Sequence, residues 1–216
     1  MQAATSITEK GNRKTVILNA ALAIISEEGL RGLTYRAIAE AAGIPLGSIT
    51  YHYSSIEDLY MDAYGLFHEQ TRVDAGGFFR EASRLYLAYL KGGDEQSLRL
   101  EQLIEGLSDL MTGFVHDLAV GAIDQRKVEA AFQHRALVDS KINEMVRDRN
   151  EEYIEHCAEW FRDVGVALPS ETAELFVGTI NQLERNALFG SSDCFNKQHT
   201  HDVLHHFLSM ALRDIQ

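Results

Sequence analysis

Leu100, Leu103, Ile104, Leu107, Met111, Phe114, Val115 and Leu118 recur at steps of three, four and seven residues, which makes one continuous apolar helix face. The same rhythm runs through most of the chain. It predicts a helix over 13–28, carried by Ile17, Ala21, Ile24 and Ile25, and another over 56–73, carried by Ile56, Leu59, Tyr60, Ala63 and Phe67. Gly76 and Gly77 are expected to break the chain before a helix rich in aromatics, from Phe78 to Leu90, that Gly92 and Gly93 close. Further helices follow over 100–118, 123–138, 141–164, 170–189 and 200–215. With two short helices over 35–42 and 46–52, the pattern predicts about ten helices and no strand. The fold class is all-α, and residues 1–12 are expected to be a mobile arm.

The segment from Leu33 to Tyr53 carries the sharpest local information. Thr34 is a good N-cap for a helix over 35–42 that keeps Ile38 and Ala42 inside. Gly43 supplies a left-handed stop, Ile44 fills the corner, and Pro45 prevents the first helix from continuing. The second helix follows with Ile49 and Tyr53 four apart on its inner face. Two short helices held by such a turn make a helix-turn-helix, whose second helix can enter the major groove of DNA. Ser55 and Asp58 then form a capping pattern for the next helix.

Charge looks unfavourable for DNA until it is divided. The net charge is −12, yet residues 1–60 carry five Lys/Arg against six Asp/Glu, and residues 61–216 carry fifteen against twenty-six. Lys10, Arg13 and Lys14 make the N-terminal segment locally basic. An acidic body behind a near-neutral head leaves DNA one favoured side to approach. Two cysteines, Cys157 and Cys194, are too few for a disulfide framework and read as buried free thiols. The chain has no membrane-length apolar run and no signal-peptide core, so a cytoplasmic location is expected.

The order Thr34, Arg36, Ile38, Ala39, Ala42, Gly43, Ile44, Gly47, Ser48, Ile49, His52, Tyr53, with Leu59 beyond it, resembles the DNA-binding head of TetR-type transcriptional regulators. The likeness in motif covers about residues 13–64, and beyond it only helical layout and length are similar. It divides the chain into an arm (1–12), a helix-turn-helix head (13–60, motif 34–53) and a body (61–216). Leu46, Gly47, Ser48, Thr50 and Tyr51 are the outward residues of the recognition helix. None is an Arg, Lys, Asn or Gln, so base reading rests on hydroxyls and apolar contacts, with modest discrimination per half-site. The resemblance implies phosphate contacts from Arg36 and His52. Where the family usually has a Lys that reaches a phosphate, this chain has Ile56; the basic arm is a candidate to compensate.

For the body, the resemblance implies a small-molecule effector and a homodimer. Aromatic and Met residues beside a few polar ones suit a mainly apolar pocket. The candidate lining is Phe67, Tyr86, Met111, Phe114, Glu129, Phe132, Gln133, Tyr153, Cys157 and Trp160. The last two helices are the candidate dimer surface, through Phe176, Ile180, Leu183, Leu204, Phe207, Leu208 and Leu212, paired as a four-helix bundle. The reading is a repressor that binds a palindromic operator as a dimer and is released by its effector, with no cofactor, metal or catalytic residue expected. Two alternatives stand beside it. His116-Asp117 and His201-Asp202 resemble the metal-binding dipeptide of HD-type phosphohydrolases, and His201 and His205 lie four apart. The other is a helical adaptor that has lost DNA binding, for which Ile56 is the motive.

Overall fold

The computed structural model describes residues 2–91, 96–189, 195–213 and 215, and the side chains of fewer; those of residues 2–12 are among the ones left aside. Among them are nine α-helices and no strand: α1 (Gln2–Glu28), α2 (Tyr35–Ala42), α3 (Leu46–His52), α4 (Ile56–Lys91), α5 (Gln96–His116), α6 (Ile123–Ala136), α7 (Ser140–Asp163), α8 (Pro169–Phe189) and α9 (Lys197–Ala211). A π-helical turn, Asp117–Gly121, links α5 to α6. It takes the place of the end of the helix expected over 100–118.

Two expectations are corrected here. The first helix, expected to begin at residue 13, begins at Gln2. No proline interrupts residues 2–12, and Ala3, Ala4, Glu9 and Lys10 are good helix formers. The break expected at Gly76 and Gly77 is absent, and α4 runs unbroken for 36 residues, about 54 Å at 1.5 Å per residue. Among the described glycines only Gly29, Gly43 and Gly165 have positive φ, the conformation that stops a helix. Two glycines inside a helix cost about 1 kcal/mol each relative to alanine. Burial of Phe78, Ala82 and Tyr89 on the following turns offsets that cost. The expected stop at Gly92 and Gly93 lies outside the described residues.

Packing divides the chain into two compact units, residues 1–72 with 124–146, and residues 73–123 with 147–216. The first contains the helix-turn-helix but also α6 and the start of α7, which the motif-based boundary after residue 60 assigns to the body. Its core joins Ile17, Ala21 and Ile25 of α1, Ile38, Ile49, Leu59 and Phe67 to Phe132 and Ile142. The Tyr64 ring lies 4.8 Å from that of Phe132, and Ser26 Oγ donates to Asp124 Oδ1 at 2.9 Å.

In the second unit, α5 packs chiefly on α9 and also on α8. The apolar stripe of α5 that opened the sequence reading is indeed buried, with Leu107, Met111 and Val115 in the core. Ser108 and Thr112 sit on this buried face because each hydroxyl donates back along the helix, to the Ile104 and Ser108 carbonyls, both at 2.7 Å. Phe161, Phe176 and Phe207 stack around one centre, with ring separations of 5.8–6.4 Å.

Candidate DNA interface

The local chemistry of the motif sets its geometry. Thr34 caps α2, its Oγ1 accepting from the Ala37 N–H at 3.1 Å. At the other end Gly43 adopts φ 63°, ψ 33°, and its N–H reaches the Ala39 and Glu40 carbonyls. The Ile44 N–H closes the same cap on the Ala39 carbonyl at 3.0 Å. Pro45, at φ −63°, leads directly into α3, whose first bond runs from the Ser48 N–H to the Pro45 carbonyl at 2.8 Å. Ile38 and Ile49 are fully buried where the two helices meet.

Tyr53 anchors the far end of α3. Its carbonyl accepts from the Tyr35 hydroxyl at 3.3 Å, and its ring is buried beneath Lys14, whose Nζ lies 5.8 Å from the ring centre. Lys14 Nζ also pairs with Asp62 Oδ2 at 2.7 Å. Burial, and then the neighbouring Asp62 carboxylate, push the Tyr53 hydroxyl well above the usual tyrosine range, so it stays protonated. This cluster ties α1, α3 and α4 together. It also means that Lys14, expected as part of a basic arm, is engaged inside the head; Arg13 is exposed, and the side chain of Lys10 lies outside the described residues.

Beyond α3 the capping pattern read from Ser55 and Asp58 is in place. The Asp58 N–H donates to Ser55 Oγ at 3.0 Å, and Ser54 Oγ donates to Asp58 Oδ2 at 3.1 Å. The hydrogen bonds from Ser55 and then Ser54 hold the Asp58 carboxyl below its ordinary range. Ile56 packs half-buried against the head's core. The side chain that replaces a cation at this position therefore contributes apolar contact.

With Ile49 and Tyr53 turned inward, the opposite side of α3 is uncovered. Tyr51 is 72% exposed and Leu46 47%, Gly47 and Thr50 are exposed, and Ser48 and His52 are half-buried at its edges. The Tyr51 and His52 rings meet edge to face at 5.4 Å. Arg36 is exposed on the first turn of α2, the helix that the turn joins to α3. All seven residues expected at DNA thus belong to one structural motif. The surface offers hydroxyls, an aromatic face, one guanidinium and close backbone approach at Gly47, as groove and phosphate contacts require.

The other candidate residues are distributed differently. Phe67, Glu129, Phe132 and Gln133 lie in the unit with the head: Phe67 and Phe132 are core, Glu129 Oε2 pairs with Arg126 Nη1 at 2.6 Å, and Gln133 is exposed. Tyr86, Met111, Phe114, Tyr153, Cys157 and Trp160 pack in the second unit. There the Tyr86 hydroxyl donates to the Val164 carbonyl at 3.4 Å, and Phe114 lies 4.9 Å from Phe78. Burial pushes the Cys157 thiol up to about 12. Cys194 lies outside the described residues.

All seven side chains expected as an exposed dimer stripe, Phe176, Ile180, Leu183, Leu204, Phe207, Leu208 and Leu212, are buried within the protomer. They are core, because α5 and α7 cover the faces that α8 and α9 turn inward. The outward residues of the same helices include Leu175, 66% exposed, and Met210, 53% exposed.

The two His-Asp dipeptides do not assemble one site. His116 Nδ1 and Asp117 Oδ1 are 3.2 Å apart and exposed. His201 and His205 instead face Glu105 on α5, each with Nε2 3.5 Å from a carboxylate oxygen, and His201 is 3.7 Å from Asp109. No spacing rule could pair residues so distant in sequence. Among the described residues no three His, Cys, Asp or Glu side chains are arranged to hold a metal ion, and no helix is long and apolar enough to cross a membrane.

Residues 17–63 match the family model described as bacterial regulatory proteins, tetR family. Over 50 residues the chain is 44% identical to the HTH-type transcriptional repressor KstR2 of Rhodococcus jostii, a match covering 23% of this chain and 24% of that repressor. The fold extends further than the motif. A transcriptional regulator from Rhodococcus sp. Rha1 superposes with a TM-score of 0.66 at 18% identity, over 94% of this chain and 97% of its own. The multidrug binding protein EbrR, complexed with ethidium, does so with a TM-score of 0.58 at 18% identity, over 90% and 98%.

Proposed function

We propose that this chain, a TetR-type regulator by its head and by its fold, is a repressor that binds a pseudo-palindromic operator as a homodimer and releases it when a small molecule occupies the body. The observation that carries this reading is the uncovered outer face of α3, with Leu46 and Tyr51 exposed on a helix whose inner face is locked by Ile49 and Tyr53. Leu46 and Tyr51 are both largely exposed on this short helix. Against a major groove they meet thymine methyls and base edges. With no Arg or Asn on the helix, one head discriminates modestly, and two heads on a palindrome square that preference.

The effector role rests on the aromatic second unit and on its likeness in fold to EbrR, a multidrug binding protein. The helix α4 is the natural transmission element. Three residues separate it from the end of the recognition helix, and it carries Tyr86 and Tyr89 near its other end. A tilt of about 3° along its roughly 54 Å moves one end by about 3 Å, enough to spoil the spacing of two recognition helices about 34 Å apart. Dimerisation is assigned to the outward faces of α8 and α9, where Leu175 and Met210 are exposed, since the inward stripe is occupied. A repressor acting on operator DNA works in the cytoplasm, which is the location this reading carries.

Selection of bound duplexes from a random library, followed by binding measured against salt, tests the reading. A palindromic consensus bound about 10³-fold or more tighter than random DNA is expected. Equal binding of selected and random duplexes at every salt concentration refutes specific recognition. Replacing both Leu175 and Met210 with Glu should yield a folded monomer with lost operator affinity. A doubly substituted protein that stays dimeric places the interface elsewhere.

A further inference from the structure

We propose that a crevice in the first unit, between α1, α4 and the start of α6, binds a small organic cation with an apolar body. It is separate from the effector site assigned above to the second unit. The crevice has a volume of about 300 Å³, at the lower end of what ligand pockets occupy. Its floor is apolar, made by the buried side chains of Leu22, Phe67 and Val128. Its rim is polar and carries two carboxylates, Glu27 and Asp124, and no Lys or Arg.

The walls are held by polar ties at separate points. Ser26 Oγ on α1 donates to Asp124 Oδ1 on α6 at 2.9 Å, and Gln70 Nε2 on α4 donates to Asn19 Oδ1 on α1 at 3.4 Å. Lys127 Nζ reaches the same Asp124 oxygen at 3.0 Å from outside the lining, while Asp124 and Glu27 both belong to the lining. These bonds from Lys127 and Ser26 keep the Asp124 carboxyl below its ordinary range, hence ionised at neutral pH. An anion would meet two carboxylates, and a neutral hydrocarbon would leave the rim unmatched. A cation whose apolar part rests on Leu22, Phe67 and Val128 satisfies both surfaces.

The position gives such a ligand leverage on the head. The crevice is walled by α1, which packs on α2, and by α4, which follows the recognition helix and is tied to α1 by Lys14 and Asp62. An occupant that changes the α1–α4 spacing is therefore expected to alter operator affinity without any ligand in the second unit.

Calorimetric titration of the intact protein with benzyltrimethylammonium, and with its uncharged isostere neopentylbenzene, tests the proposal. The cation is expected to bind, and the isostere about tenfold more weakly or not at all. Glu27→Gln should weaken the cation about three- to tenfold. Ala23→Phe, which fills the crevice from an exposed position, should abolish binding, with helical content by circular dichroism unchanged. Absence of binding at millimolar cation, equal affinity for the isostere, or binding indifferent to both substitutions would each overturn the proposal. The last outcome would place the cation in the other unit and leave the regulator reading intact.

Discussion

Gly47→Ala should make the protein more stable and its DNA binding weaker. Gly47 is the second residue of α3, has no positive φ, and is exposed. A β-carbon built there meets nothing within 4 Å. Nothing in the protomer therefore requires glycine, while its conformational freedom in the unfolded chain costs about 0.5–1 kcal/mol relative to alanine. A residue that the fold tolerates only at a cost points to a partner that comes close to the backbone. If the added methyl displaces one phosphate contact worth about 1 kcal/mol in each half-site, a dimer loses about 2 kcal/mol, or roughly 30-fold in affinity. Urea denaturation would report the gain in stability, and fluorescence anisotropy with the selected duplex the loss in binding. Gly43→Ala is the contrasting control. It too has open space around its β-carbon, but at φ 63° the left-handed backbone makes alanine cost about 1–2 kcal/mol. A Gly47→Ala protein that binds operator as tightly as the parent would refute the close-approach reasoning. One that is less stable would refute the helix reasoning.

Three further outcomes follow from the same geometry. Tyr51→Ala should leave the melting temperature nearly unchanged, because the ring is exposed, yet reduce the ratio of operator to random-DNA affinity; Ile49→Ala, at a fully buried position, should cost about 2–5 kcal/mol in urea denaturation. A Tyr51→Ala protein with unaltered discrimination would remove that ring from base reading. Asp139 accepts the Ile142 and Lys141 N–H groups at the start of α7 and pairs with Arg135, and these bonds, that of Ile142 foremost, hold its carboxyl below the ordinary range. A depressed folded value contributes stability above the unfolded pKa of about 3.9 and loses it as pH falls through the folded value. The stability gap between parent and Asp139→Ala should accordingly shrink on acidification, and a gap constant from pH 7 to pH 2.5 would show the charge to be irrelevant. Cys157, buried with its thiol pushed up to about 12, should resist thiol reagents in the folded protein at pH 8 and react once urea unfolds it; mass spectrometry after trypsin would locate the label, and rapid native modification would contradict the burial.

What the sequence determined by itself is whatever depends on neighbours a few residues apart. Thr34 caps, Gly43 turns left-handed, Pro45 bars continuation, and Ser55 with Asp58 starts α4; each is a bond or a dihedral within one turn of chain, and each was legible. The buried stripe of α5 was legible for the same reason, since one period describes one face. The six α3 residues expected at DNA were legible because the inward pair Ile49 and Tyr53 leaves one side of α3 exposed. Tertiary structure decided the rest. Gly76 and Gly77 are permissive in either a turn or a helix, and only the burial of the residues beyond them selected a continuous α4. An apolar stripe states that something covers it but not what, so Leu204 and Leu208 read as interface, and α5 is what covers them within the protomer. The packing of α6 with the head, the crevice beneath α1, and the contact of His201 and His205 with Glu105 join segments scores of residues apart. Such meetings depend on the packing of whole helices, which no short-range preference encodes.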